Sequence, residues 1–368
     1  MASTVGVIFS SINEENVPEL TRVRSMGSIP YGGRYRLIDF SLSNMVNSGI
    51  TTVGVITKKN YQSLMDHLGS GKNWDLARKE GGLILLPPYS DESEMLYKGR
   101  LEALKGATSF LKKCKQDYVV LADSDAVYKL DYSEVIKYHA EKNADITMVY
   151  HEHEIPHTHY NMVFETAEDG RISDIGINPK ASGVKKNYIN VMVARTSFLL
   201  NIIQDAIQHG YTSFGKDILV PGVKAMKIYG YKFDGYYAAI DSLAAYFNAN
   251  LDLLKKDVRN EIFGARDVYT KVNDSAPAKF TDSACVKNSL VSDGCLIEGT
   301  VENCILFRGV KIGKGTVVKN CILNTDTYVG HDCNLAYVVA DKNSVIRDNR
   351  TLAGCELQPY FISKGTLI

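Results

Sequence analysis

The chain lacks net charge: 42 Lys and Arg residues balance 42 Asp and Glu residues over 368 positions. That excludes the broad positive field needed for general nucleic-acid binding and leaves room only for a local anion pocket. Long apolar runs are lacking too. The longest near the start, Val5-Gly6-Val7-Ile8-Phe9, follows no basic residue and is too short for a signal segment or a membrane span. A cytoplasmic protein with no membrane and no nucleic-acid partner is expected. The seven cysteines are odd in number and include no Cys-x-x-Cys pair, which argues against a secreted disulfide framework or a zinc ribbon. Six of them lie beyond residue 280, and Cys304 and Cys321 share the 17-residue spacing of Ile312 and Val329. They read as small apolar fillers at equivalent places in a repeat.

The length exceeds what one hydrophobic core usually organises, so two domains are expected. Up to residue 258, short apolar runs alternate with helical patterns, the signature of a mostly parallel sheet with crossover helices. Strands are expected at Val5 to Phe9, Thr52 to Thr57, Tyr118 to Ala122, Ile146 to His151 and Lys227 to Phe233. Helices are expected at Phe40 to Ser48, Gln62 to Leu68 and Arg100 to Lys113, where apolar residues recur at three and four. Ligands of such sheets bind beyond the carboxyl ends of the strands, here after Phe9 and Ala122. A connection is expected over 259–280. From 281 to 368 the grammar becomes hexapeptide: Leu306, Ile312 and Val318 are spaced by six, as are Leu323, Val329 and Leu335, with Leu290, Leu296, Val339 and Val345 in the same pattern. This is the repeat of a parallel β-helix, whose aliphatic ladder points inward and whose faces serve assembly.

The stretch from Leu20 to Phe40, which includes Arg24-Ser25-Met26-Gly27 and Pro30-Tyr31-Gly32-Gly33-Arg34-Tyr35-Arg36-Leu37-Ile38-Asp39, closely resembles the amino-terminal signature of ADP-glucose pyrophosphorylases. Leu42-Ser43-Asn44, Ser63-Leu64, His67-Leu68, Phe214-Gly215-Lys216-Asp217-Ile218 and the hexapeptide tail extend the resemblance over nearly the whole chain. The resemblance implies a Rossmann-like α/β sugar-phosphate nucleotidyltransferase domain followed by a left-handed β-helix. It also implies the joining of ATP to glucose 1-phosphate, with release of pyrophosphate. Such phosphoryl chemistry depends on positioning and on neutralising charge with Mg²⁺, Arg and Lys.

Position by position, those groups are depleted. The family's glycine-rich phosphate loop falls on Ser11-Ile12-Asn13-Glu14-Glu15-Asn16-Val17, so Asn13 and Asn16 stand at degenerate positions and two carboxylates lie where polyphosphate would. Like charges about 4 Å apart repel by roughly 1 to 4 kcal/mol at effective dielectrics of 80 to 20. The phosphate-contacting lysine is replaced by Met26, the sugar-phosphate lysine by Asn178, and one of two metal-holding aspartates by Ala239. The other aspartate survives as Asp125, the sole candidate metal ligand, and Asp241 lies two residues past Ala239. The family's Gly-Thr-Ala-Asp-Ala becomes Gly99-Arg100-Leu101-Glu102-Ala103, which makes Gly99 and Glu102 the candidate substrate contacts. Losing one preorganised charge stabiliser typically costs a factor of about 10² to 10³ in turnover.

The pattern resembles the GlgD-type subunits of the family and implies a non-catalytic or weakly active regulatory subunit. Its partner would be a catalytic pyrophosphorylase subunit, in a heterotetramer. No cofactor is required on this reading; Mg²⁺ enters only with residual catalysis. The alternative is an active pyrophosphorylase whose rearranged site uses Asp241 and Arg100. A third reading, acyl transfer on the β-helix, has only His331 to support it. Arg22, Arg24, Arg34 and Arg36 form a basic cluster; by the resemblance, Arg22, Arg24 and Arg36 are candidates for an anionic metabolite effector. His151, His153, His157 and His159 alternate beside Pro156 and read as a surface loop without a physiological metal.

Overall fold

The computed structural model describes residues 3–88, 97, 99–154, 161–179 and 183–368. The α/β domain is built on a nine-stranded sheet. Its strands are β1 (Thr4–Phe9), β2 (Thr52–Ile56), β3 (Gly82–Leu86), β4 (Tyr118–Asp123), β5 (Ile146–Glu154), β6 (Met162–Thr166), β7 (Ile172–Ile177), β8 (Val184–Arg195) and β9 (Ile228–Lys232). The order is β7-β6-β8-β4-β1-β2-β3, with β5 paired to β8 and β9 paired to β5. Strands β4, β1, β2 and β3 run parallel, whereas β8 runs antiparallel to β4, β5 and β6. Continuous apolar runs such as Val5-Gly6-Val7-Ile8-Phe9 suit parallel strands covered on both faces, and each of Val5, Val7, Ile8 and Phe9 is buried. Register pairs Phe9 with Asp123, so the chain segments leaving β1 and β4 emerge side by side and frame the site.

The expected helix at Phe40 begins earlier, at Leu37, and spans Leu37–Asn47. Asp39 accepts the Arg36 backbone N–H at 2.9 Å, which satisfies a donor the first helical turn leaves orphaned. His67 Nε2 lies 2.6 Å from the other Asp39 oxygen and fixes the carboxylate. The helix expected over Arg100 to Lys113 is two, Arg100–Gly106 and Thr108–Lys113, broken where Ala107 departs from helical geometry. Of the segment 259–280, the first residues belong to the helix Lys256–Phe263 and the last two, Lys279–Phe280, already form the first β-helix strand.

The carboxyl-terminal domain stacks its strands into three parallel five-stranded sheets, the arrangement of a left-handed β-helix. The corners have a sequence cause. Gly309, Asp326 and Asn343 form one column of left-handed backbone, and Gly315, Asp332 and Asn349 another, the residue types that tolerate positive φ at least cost. Ile297, Leu306, Ile312, Val318, Leu323, Val329, Leu335 and Ile346 fill the interior with the fillers Cys304, Cys321 and Cys333. The expected register is one residue off at four positions. Leu290, Leu296 and Val345 are only half-buried, and Val339 is buried against the α/β domain; the inward neighbours are Val291, Ile297, Ile346 and Ala340. At the seam, where Leu290 and Val339 sit, the outward face is also apolar, so hydrophobicity alone does not separate the two faces there; Leu296 and Val345 lie on another sheet, in line with Lys311 and Tyr328.

That seam is a single apolar cluster. Leu20, Met26, Ile29, Tyr31, Leu37 and Phe40 pack with Tyr246, Phe247 and Leu253, and against Ile305, Phe307, Ile322 and Val339 of the β-helix. Polar ties flank it: Ser292 Oγ donates to the Gly33 carbonyl at 3.0 Å, and Arg34 pairs with Asp293 at 3.1 Å. Within it lies a buried bidentate ion pair, Arg24 Nη2 to both Asp341 oxygens at 3.0 and 2.7 Å, with both side chains 3% exposed or less. Removing one member of a buried pair strands the other charge, at a cost of about 3–5 kcal/mol. Arg24→Met should therefore destabilise the chain by that order in chemical denaturation. Arg24→Met combined with Asp341→Asn should recover part of the loss, because the neutral amide keeps an acceptor for the Lys342 N–H. Equal losses in the single and double variants would contradict the burial of the charge pair.

Candidate functional site

The loop after β1 turns sharply at Asn13, which adopts left-handed backbone at φ 61°, and continues as a short 3-10 turn, Glu14–Asn16. Several N–H groups of this loop and its flanks are engaged inside the protein. Ser10 N–H donates to Ile56 O at 3.1 Å, Asn16 N–H to Asn13 O at 3.2 Å, Val17 N–H to Glu14 O at 3.3 Å and Gly27 N–H to Ser10 O at 2.9 Å. Gly27 permits that closure, since a Cβ there would stand 2.9 Å from Ser124 Oγ. The Met26 N–H donates to Glu14 Oε1 at 3.3 Å. A carboxylate of the chain itself thus takes the donor beside the loop. Burial pushes the Glu14 carboxyl up from its ordinary value of 4.5 to about 7, against the opposing pull of Ser11, Lys58 and the Met26 N–H and with some help from Glu15. The Met26 side chain is 1% exposed in the interdomain core; its loss of charge matches its place in the seam.

Beside this loop a cleft is lined by Asn13, Asn16, Asp125, His153, Asn161, Met162, Asn187, Tyr188, Asn190, Tyr237, Ala239, Ile240 and Asp241. Four of the sequence candidates meet here: Asn13, Asn16, Asp125 and Ala239. The short strand Tyr237–Ala239 pairs with Ala126–Tyr128, and the Ile240 N–H donates to the Asp125 carbonyl at 2.8 Å. This chain path brings Asp241 into the same lining as Asp125. Asp125 accepts from Asn13 Nδ2 at 2.8 Å and from Asn190 Nδ2 at 3.4 Å; burial raises its carboxyl pKa, while Arg100, Asn13 and Asn190 oppose the rise. No lysine or arginine stands among the described residues of the lining. Arg100 lines the adjoining recess with Phe9, Leu104, Met162, Tyr188 and Phe214. Its Nε donates to Asp123 Oδ1 at 3.0 Å and its Nη2 binds the second oxygen. Burial lowers the guanidinium pKa, but the Asp123 carboxylate more than offsets this and raises it. The cation is thereby committed to a partner within the protein.

Other expectations fall elsewhere. Gly99 caps the helix Arg100–Gly106 in extended backbone, and Glu102 sits half-buried on its first turn; neither is in the lining of the cleft. Asn178, at φ 47°, exchanges hydrogen bonds with Asn161, accepting its N–H at 2.7 Å and donating its own at 2.9 Å. It holds the cleft's Asn161 in place. His151 and His153 lie on β5, not in a surface loop, because the strand runs to Glu154. Their Nδ1 atoms are 3.1 Å apart and both rings pack on Tyr237. Burial pushes both pKa values down, His153 to about 4, so at neutral pH one imidazole donates to the other. His157 and His159 lie outside the described residues. Among those described, no group of three or more His, Cys, Asp and Glu could hold a metal ion.

The four arginines divide. Arg22 is exposed, Arg34 pairs with Asp293, and Arg24 is held by Asp341. Arg36 donates to Ser63 at its carbonyl (2.5 Å) and hydroxyl (3.0 Å), and burial lowers its pKa to about 10. Sequence reasoning missed Lys342, which joins the group from the β-helix. Burial, then the nearby Arg36 and Arg24, push its ammonium pKa down to about 7, with Asp341 pulling the other way. Asn161, Asn187, Tyr188, Asn190 and Tyr237 were also missed: nothing in their local spacing signals that β8 and the strand Tyr237–Ala239 converge on the loop after β1.

Glu14 gives a pH test. Its folded pKa lies above the ordinary value, so the native state holds the extra proton between about 4.5 and about 7, and stability falls as pH rises through that window. Glu14→Gln cannot ionise. It should leave stability near pH 4.5 little changed and raise the melting temperature relative to the parent increasingly up to pH 7.5. Parallel melting curves for the two chains across this range would show that Glu14 is not buried against the loop.

Comparison with known proteins agrees with this geometry. The nucleotidyl transferase family model matches residues 16–256, and a GlmU-like, C-terminal hexapeptide model matches residues 276–358. The chain is 35% identical to the glycogen biosynthesis protein GlgD of Bacillus subtilis over 98% of its own length and 96% of that protein. It is 33% identical to the glucose-1-phosphate adenylyltransferase of Thermosipho melanesiensis, covering 87% of this chain and 78% of that one. With the corresponding enzyme of Clostridium acetobutylicum it shares 35% identity over 81% and 80%. No helix among the described residues is long and apolar enough to cross a membrane. The chain therefore belongs to the glucose-1-phosphate adenylyltransferase family of glycogen biosynthesis, on the GlgD side of it.

Proposed function

We propose that the chain is a non-catalytic, or at most weakly active, regulatory subunit of glucose-1-phosphate adenylyltransferase, acting in the cytoplasm in assembly with a catalytic subunit. One observation carries this. The Glu14 carboxylate accepts the Met26 N–H beside the loop, and among its described residues the neighbouring cleft presents Asp125 and Asp241 without a lysine or arginine. Polyphosphate transfer requires the opposite charge pattern. Mg²⁺ would have Asp125 and Asp241 to bind, which is the one observation that favours the alternative of an active, rearranged site. Arg100, the cation that such a site would recruit, is already paired with Asp123.

What the scaffold retains is shape. Its β-helix and outer α/β surface offer contacts to a catalytic partner, in a heterotetramer. A partner shifts turnover only if it binds two states of its neighbour with different affinity. The anionic effector site is proposed at Arg22, Arg36 and Lys342, with Arg24 acting through its pair with Asp341. Burial, and after it the positive charge of Arg36 and Arg24, depresses Lys342, and a bound anion would relieve the second of these.

Alone, the chain should release pyrophosphate from ATP and glucose 1-phosphate at least about 10³-fold more slowly than a catalytic family member. Mixed with the catalytic subunit from its own genome, it should co-elute at micromolar concentration and change turnover, substrate affinity or effector response. Turnover within tenfold of an active enzyme contradicts the proposal. So does association without any kinetic change, or no association. Separately, inorganic phosphate should raise the melting temperature at low salt, and Lys342→Ala should abolish the rise. An unchanged response in that variant would remove Lys342 from the anion site.

A further inference from the structure

At the seam the β-helix adds a lysine to a group of cations that is short of carboxylates. Asp341 is 1% exposed and already holds its partners. Its oxygens accept from Arg24 Nη2 at 3.0 and 2.7 Å, and Oδ1 also accepts the Lys342 N–H at 2.8 Å. The Lys342 side chain is half-buried, and its Nζ has no hydrogen-bond or ion-pair partner among the described residues. Facing it are the cations Arg36, Arg24 and the exposed Lys364, and the carboxylate of Asp341. Asp39 and Asp66 act on Arg36. Arg36 spends only Nη1, on Ser63, so its Nε and Nη2 N–H groups have no partner among the described residues.

Such a cluster favours a negative charge at Lys342 and disfavours a further positive one. Lysine is the side chain that can respond. Its proton leaves near neutral pH when it is desolvated among cations, whereas arginine keeps its own. Burial first, then Arg36 and Arg24, push the Lys342 ammonium down from 10.5 to about 7. At pH 7.5 an ordinary lysine is neutral in roughly one chain in 10³, and Lys342 in more than about half of them. A neutral amine is a nucleophile, and here it lies where a carboxylate is lacking.

We propose that Lys342 is a carbamylation site, at which carbon dioxide adds to the side-chain amine and the carbamate formed is stabilised by Arg36 and Arg24. The amine lone pair makes the N–C bond, one C=O π pair moves onto oxygen, and an N–H proton leaves to solvent. Nothing is oxidised or reduced, and the residue changes from a neutral amine to a monoanion. The N–COO⁻ group presents two acceptor oxygens in a plane, as a carboxylate does, and that is the partner a guanidinium fork matches. Carbon dioxide is small and uncharged, which suits a half-buried amine. The proposal rests on the reading of this cluster as an anion site and makes the anion part of the chain. Bound phosphate and carbamate then exclude each other.

Covalent trapping on the full chain tests it. The protein is equilibrated at pH 7.5 with ¹³C-labelled carbon dioxide and bicarbonate, treated with a trialkyloxonium salt to fix carbamates as esters, and mapped by peptide mass spectrometry. Lys342 should carry the label at least about 100-fold above any other lysine. At pH 6 and the same partial pressure of carbon dioxide the label should fall, because the amine is then protonated. Lys342→Arg keeps the cation without the nucleophile and should lose the label. Arg36→Gln should lower it about 3- to 10-fold. If that chain does not fold, Lys364→Gln, at an exposed position, should lower it in the same direction. Inorganic phosphate in excess should also reduce it. Three results would overturn the proposal. If Lys342 stays unlabelled while phosphate still raises the melting temperature, the cluster takes free anions only. If there is neither label nor a phosphate response, the anion-site reading falls as well. If Lys342 is labelled no more than ordinary lysines, or the label is unchanged in Lys342→Arg, the addition is non-specific.

Discussion

The structure depends on the seam between its two domains, and within that seam on the charge pair of Arg24 and Asp341. A guanidinium and a carboxylate that are 3% exposed or less have left water, and only their bidentate geometry and supporting bonds offset that desolvation. The surrounding apolar residues fix where the two backbones meet. Leu20, Met26, Ile29, Tyr31, Leu37 and Phe40 all belong to this cluster, and all come from the signature stretch. Its continued presence here is therefore a packing requirement. Met26 apart, which stands where the family has lysine, the signature positions that face the seam match the family in character, and the loop before the signature, which faces the site, does not.

That division accounts for the site. In the loop between Ser11 and Val17, which has no glycine, the Asn16 and Val17 N–H groups turn back on the loop's own carbonyls, and Glu14 takes the Met26 N–H beside it. Arg100 finds Asp123 in place of an external anion, and Asp125 is held by asparagine amides. These groups have internal partners, which stabilise the loop in the absence of ligand. The cleft that remains is amide-rich, acidic and partly aromatic, a surface with the opposite electrostatic preference from a nucleotide site.

Much of the fold was legible because its signals are periodic. The runs at Val5, Thr52 and Tyr118 became parallel strands and the six-residue spacing became a β-helix. The interior register failed at Leu290 and Val339 because at the seam both faces of a coil carry apolar residues, and at Leu296 and Val345 because each follows one of those by six and inherits its offset. The His-rich segment was misplaced through Glu154 because Pro156 suggested a loop where β5 is still held by β8. In the site, Asn13, Asn16, Asp125 and Ala239 were found through the resemblance. Asn161, Asn187, Asn190 and Tyr237 were not, since they come together only through long-range pairing of β8 with β4 and of Tyr237–Ala239 with Ala126–Tyr128. Lys342 was hidden for the same reason: 306 positions separate it from Arg36 in the sequence.

Exclusion of nucleotide by the Glu14 carboxylate and by the turn at Asn16 and Val17 is what the rest of the reading requires. It is tested most directly by calorimetric titration of the isolated chain with ATP and Mg²⁺ at pH 8, where Glu14 is ionised. No saturable binding is expected up to about 1 mM nucleotide. Saturable binding with Kd below about 100 μM, abolished by Asp125→Asn, would show an open loop and a working metal site and would contradict it.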